Sequence, residues 1–165
     1  MAYLLDTNVF IQAKNLHYGF SFCPAFWDWI IRENHAGKVF SVEKVCDEIM
    51  DGNDDLAQWA AQHRDSLFLA LDANVLPAMQ RVSAWVTDQQ YAPAAVSLFL
   101  QDPDYYLVAQ ALAGGHVVVT HEKPEASIKR VKIPNVCIGV GVAFMNPFEM
   151  LRRERALFVL AGATP

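Results

Sequence analysis

The sequence is short of the features that usually place a chain quickly. Its cysteines are Cys23, Cys46 and Cys137, odd in number, far apart and in no Cys-x-x-Cys pair. That argues against a disulfide framework or a zinc site and reads as buried or idle thiols in a reducing compartment. His17, His35, His63, His116 and His121 form no His-Glu-x-x-His pair. Charged residues are only 19% of the 165, yet no apolar run between them approaches the length that crosses a bilayer. Asp6 interrupts the opening run before the apolar stretch of a secretion signal can form. Repeats, low-complexity stretches and Ser/Gly linkers are also missing. The expectation is a soluble, cytoplasmic chain, away from membranes, folding as a single domain over residues 1–165.

Positive charge is scarce too. Lys and Arg number 13 against 18 Asp and Glu, a net charge of −5. A protein that grips nucleic acid through a broadly basic surface is therefore not expected. A nuclease is still possible, because a pocket of acids loaded with divalent cations is locally positive.

What is present is an apolar fraction of 53% with 12% aromatics, enough for a substantial core. Ala2 to Leu5 reads as a buried strand, Lys38 to Ser41 as a second and residues 66–72 as a third. His116 to Thr120, HVVVT, is the clearest strand, and Asn135 to Ile138 reads as a last one. Helical spacing covers Pro24 to Asn34, Val42 to Met50, a stretch capped by Asn53 or Asp54 through Arg64, and Asn74 to Gln90. It returns at Ala94 to Leu100, from Asp102-Pro103-Asp104 to Gly114-Gly115, and from Pro147 to Leu160. Helices alternating with short apolar strands predict an α/β fold, a mainly parallel sheet covered on both faces. Ligands of such sheets bind outside the carboxyl ends of the strands.

Asp6 and Glu122 fall at such ends. Taken alone, Asp6 reads equally as a helix cap and Glu122 as the first polar residue of a loop. Glu48 lies at the edge of the face made by Val42, Val45 and Ile49, where a solvated charge is the ordinary reading; Glu43 and Asp47 read that way. Asp102 and Asp104 both suit a helix start. Asp104 shares a face with Leu107, so Asp102 is the better cap. Together, four acids that a parallel fold brings to one edge would repel strongly if dry and unpaired. Mg²⁺ or Mn²⁺, which prefer oxygen donors, are the natural relief.

LLDTNVFI, VCDEI, DYYLVAQA and VVTHE resemble, in order, the four acidic motifs of PIN-domain ribonucleases. GNDDLAQWA and HEKPE…KIPNVC are similar to segments of a PIN-like subfamily long left uncharacterised. The resemblance spans nearly the whole chain. It implies a three-layer α/β/α sandwich and a Mg²⁺- or Mn²⁺-dependent endoribonuclease acting on single-stranded or loop RNA. It also implies the toxin of a bacterial toxin–antitoxin pair, silenced by a small protein antitoxin, with a homodimer as a further expectation. By motif, Asp6, Glu48 and Asp104 are the core metal-binding, catalytic acids. Glu122, where many relatives carry aspartate, is the fourth catalytic, metal-binding acid, expected to help fix a second ion or the attacking water, and Thr7 and Asn8 match the polar support of the first acid.

Lys123, Lys129 and Arg130 flank Glu122 and are the expected contacts to RNA phosphates. Lys132, Arg152, Arg153 and Arg155 read as solvated surface, and His121 as a bystander whose side chain alternates away from that of Glu122. Phe20, Phe22, Phe26, Trp27 and Trp29 read as core or protein interface before they read as a stacking surface. Three other readings fit the sequence less well. A haloacid-dehalogenase-type phosphohydrolase needs a second Asp two residues after the first, where this chain has Asn8. A receiver-like domain needs paired acids in its first loop. A PIN-like binding module without catalysis has no need of all four acids.

Overall fold

A computed structural model of the chain describes residues 1–162, so residues 163–165 of the expected domain lie outside the described residues. Strand β1 (Tyr3–Leu5) is buried throughout, as its apolar run predicts. Helix α1 (Thr7–Gln12) follows at once and passes into a π-helical turn at Ala13–His17. Val9, Phe10 and Ala13 face the core, a helical spacing missing from the sequence expectation. Pro24 opens α2 (Pro24–His35), which buries Phe26, Trp27, Trp29 and Ile30. The aromatic stripe is therefore mostly core: Phe20 stacks on Trp27 at 4.2 Å, and only Phe22 stands exposed.

Gly37, at a φ of 75°, turns the chain into β2 (Val39–Val42). Helix α3 (Glu43–Asp51) then buries Val45, Cys46 and Ile49. Of the two candidate caps, Asp54 serves, accepting the Ala57 N–H at 2.9 Å to start α4 (Asp55–Gln62). A single turn, α5 (Arg64–Leu67), leads into β3 (Phe68–Leu69), shorter than residues 66–72 promised. Helices α6 (Leu76–Asp88), α7 (Pro93–Gln101) and α8 (Pro103–Gly114) each carry proline in the first turn. Strand β4 (Val117–Val119) is wholly buried, as expected.

The end of the chain differs from its sequence reading in two places. Residues 135–138 are not a strand but part of α9 (Ile133–Val140). Ile133, Val136, Cys137 and Val140 are buried at the i, i+3, i+4, i+7 spacing of a helix, so the apolar run obeys the longer period. The last strand is β5 (Phe144–Met145) instead. Helix α10 (Pro147–Arg153) stops well short of Leu160, because Arg155 turns the backbone to a φ of 54°. Phe158 then returns to pack on Tyr18 and Phe26.

The strands form one sheet in the order β3-β2-β1-β4-β5, every pair parallel. Helix α8 lies across β1, β2 and β4, while α2 packs against β2. The result is the three-layer α/β/α sandwich that the sequence predicted. Among the described residues no helix is long and apolar enough to cross a membrane. Successive strands run outward from β1 through β2 to β3, then jump back to β4 on the other side of β1. The crevice outside the carboxyl ends of β1 and β4 is where such a sheet binds its ligands.

Candidate functional site

Asp6 leaves the end of β1 with its backbone N–H bonded to Val119 O at 2.9 Å, which locks it to the end of β4. It stands at the N-cap of α1 but its side chain makes no cap bond there. Instead the carboxylate accepts the buried Thr120 hydroxyl at 2.9 Å. Burial pushes the Asp6 carboxyl up to about 7; the Thr120 bond opposes this, and the charges of Glu122 and then Glu48 add to it. Thr120 also accepts the Glu122 backbone N–H at 3.0 Å, so one hydroxyl links two acids. Nothing in the sequence reading singled it out; its place directly after a wholly buried strand was the available signal.

Helix α8 supplies Asp104. Asp102 is its N-cap, accepting the Asp104 N–H at 3.1 Å, while the Asp104 carboxyl lies close enough to Asp6 and Glu122 to feel their charges. Burial first, and then the charges of Asp6, Asp102 and Glu122, raise the Asp104 carboxyl to about 9. A cavity of about 150 Å³ opens beside it, lined by Phe99, Asp102, Asp104, Lys129 and Arg130 among others.

Glu48 is exposed on α3 and accepts the Thr7 hydroxyl at 2.5 Å. Its neighbour Asp47 turns the other way, to Arg64 at 2.7 Å, and Glu43 accepts the Leu71 N–H. Of the acids on α3, only Glu48 shares a bond with the segment that carries Asp6. Glu122 uses its extra length to reach away: one oxygen accepts the Ile133 N–H at 2.8 Å, where α9 begins, and the other lies 3.6 Å from Arg130. Asn8 is exposed and makes no side-chain hydrogen bond to these acids, leaving Thr7 and Thr120 as their hydroxyl partners.

The supporting cations stand apart in their pairing. Lys132 meets Glu125 at 3.8 Å, while Lys123 and Lys129 are exposed with no ion pair among the described residues. His121 lies between Thr120 and Glu122, with its ring stacked on that of His17. Burial, and then His17, push the His121 imidazole down. Among the described residues no group of three or more His, Cys, Asp or Glu side chains is already close enough to hold a metal ion. The acids share an electrostatic field rather than a finished cage.

Comparisons with known proteins agree on the architecture. No curated protein matches the sequence. The fold is similar to a chain in the crystal structure of VapBC2 from Rickettsia felis bound to a DNA fragment from their promoter. That likeness has a TM-score of 0.57 at 13% identity, over 88% of this chain and 98% of that one. It is a likeness of fold, that of a PIN-like sandwich. A family model described as a domain of unknown function (DUF4411) matches residues 3–158, and the chain belongs to that family.

Proposed function

We propose that this chain is a divalent-metal-dependent endoribonuclease that cuts single-stranded or looped RNA, and that it is the toxin of a bacterial toxin–antitoxin pair. The observation that carries this reading is mutual repulsion among acids from separate segments. Beyond the larger effect of burial, Asp6 is raised by Glu122 and Glu48, and Asp104 by Asp6, Asp102 and Glu122. Like charges gathered around one buried carboxyl are costly, and perturbed carboxyls of this kind are candidates for functional sites. The fold likeness to a VapBC2 chain supports the toxin setting and a small protein partner that silences it.

The donor set fits the metal. Every donor is a carboxylate oxygen, which suits Mg²⁺ or Mn²⁺ and not a soft-ligand ion. Asp6, Glu48 and Asp104 would hold it, with side-chain rotation closing the set. Bound there, it would lower the pKa of a water and neutralise charge on the scissile phosphate. The chain does the rest. Thr120 fixes the direction of Asp6, and Thr7 that of Glu48. Glu122 anchors the start of α9 and draws Arg130 to the acid edge, where Arg130, Lys129 and Lys123 meet the phosphates of the strand.

The test is cleavage of a single-stranded RNA with Mn²⁺ by Asp6→Asn. The expected loss is about 100-fold or more, since the variant removes a charge the metal needs. A correctly folded variant that cleaves like the wild type removes Asp6 from the site.

A further inference from the structure

Beside the acid edge lies a set of rings that the proposed chemistry leaves unused. His17 stacks on His121 with centroids 5.8 Å apart and planes 30° from parallel. Phe148, in the first turn of α10, meets His17 edge-on at 5.1 Å and His121 at 5.8 Å. The three come from the π-helical turn after α1, the loop after β4 and the start of α10, so the fold itself brings them together. His17 is exposed, whereas His121 and Phe148 are half-buried, making His17 the outermost ring. None of the imidazole nitrogens of His17 or His121 bonds to a protein group among the described residues, so packing alone does not account for the choice of histidine. A π-helical turn inserted in a helix is often found where function needs a side chain re-aimed.

The tier continues into a cavity of about 240 Å³ lined by Tyr18, Phe148 and Arg152 among others. Arg152 is exposed and has no ion pair among the described residues. Together these offer an aromatic surface, an adjoining cavity of about 240 Å³ and an unclaimed guanidinium.

We propose that His17, backed by His121 and Phe148, is a stacking platform for one unpaired nucleobase of a single strand, and that Arg152 takes the phosphate of that nucleotide. This rests on the reading of the acid edge as an RNA-cutting site, and it supplies what that reading lacks, a reason for single-strand preference. A base inside a duplex has no free face to lay on the tier.

The experiment uses the full chain with Ca²⁺ in place of Mn²⁺ and a single-stranded RNA oligonucleotide carrying 2-aminopurine. Affinity and fluorescence quenching are read together, against a duplex of the same sequence. Wild type is expected to quench the probe and to bind the duplex more weakly. His17→Ala loses the quenching and about five- to tenfold in affinity, in the range of one stacked base. His17→Phe restores both to within about twofold, which a merely structural role for the imidazole would not predict. Arg152→Gln keeps the quenching but lowers the salt dependence of binding by about one phosphate contact. Unchanged affinity and quenching in His17→Ala overturn the platform while leaving the acid site standing, and mark the rings as packing or as a protein-facing surface. Failure of the wild type to bind single strands at all overturns both.

Discussion

The two ends of the same sheet treat carboxylates in opposite ways. At the amino ends, Glu154 accepts the Tyr3 hydroxyl at 2.7 Å and Lys38 at 2.8 Å, and Glu33 meets Arg32 at 3.0 Å. The Lys38 bond, followed by the Tyr3 bond, holds the Glu154 carboxyl below its ordinary value. At the carboxyl ends, Asp6 and Asp104 are pushed upward by burial first and then by neighbouring acids. Among the described residues the one cation in ion-pair range of these acids is Arg130, 3.6 Å from Glu122. Acids at one end are neutralised by the chain itself. Those at the other end lack that compensation, which is where the proposed cation would act.

The contrast predicts opposite signs for one kind of substitution. Asp104→Asn relieves repulsion and should raise stability by about 0.5–2 kcal/mol in the absence of divalent ions, while abolishing cleavage. Glu154→Gln should cost about 1 kcal/mol by weakening its bond from Tyr3, and leave cleavage as it was. Urea unfolding of the two variants beside the wild type reads both. Destabilisation by Asp104→Asn comparable to that by Glu154→Gln would erase the contrast.

Acidity separates the ends again, with a smaller effect. Asp6 and Asp104 have raised values, so the folded chain binds protons that the unfolded chain has already released. Their contribution is therefore most favourable below the ordinary carboxylate range and is lost as pH climbs through about 7 for Asp6 and about 9 for Asp104. The lowered value of Glu154 works the other way, losing stability only as pH falls into the acid range. Metal-free melting temperature should thus decline from pH 6 to 9 in the wild type and decline less in Asp104→Asn. The smallest effect belongs to Asn8→Ala, which sits at the acid edge in sequence but touches none of the acids. It should change stability by less than about 0.5 kcal/mol. A larger loss would give Asn8 the supporting role expected of it from the motif.

Much of this was legible from residue order. A carboxylate directly after Tyr3-Leu4-Leu5 reads equally as a helix cap until the other acids are set beside it, and the Asp102-Pro103-Asp104 start separates a cap from an acid on the helix face of Leu107. Asp102 does cap α8, and Asp104 is raised beside Asp6. What residue order conceals is longer-range. Thr120 joins Asp6 to Glu122 only because β4 lies beside β1. The side chain of Glu122 points to α9, and the run that forms α9 read as a strand because valine and isoleucine favour both periods in short stretches. The ring tier needs three loops in register, and no local pattern announces it.

The most direct test of the central claim is a Mn²⁺ titration at pH 7.5 followed by thermal unfolding of the wild type and Asp6→Asn. A carboxylate set completed by a cation predicts a saturable rise in melting temperature of about 5 °C or more in the wild type, and little or none in the variant. No rise in the wild type, or an equal one in Asp6→Asn, would contradict it.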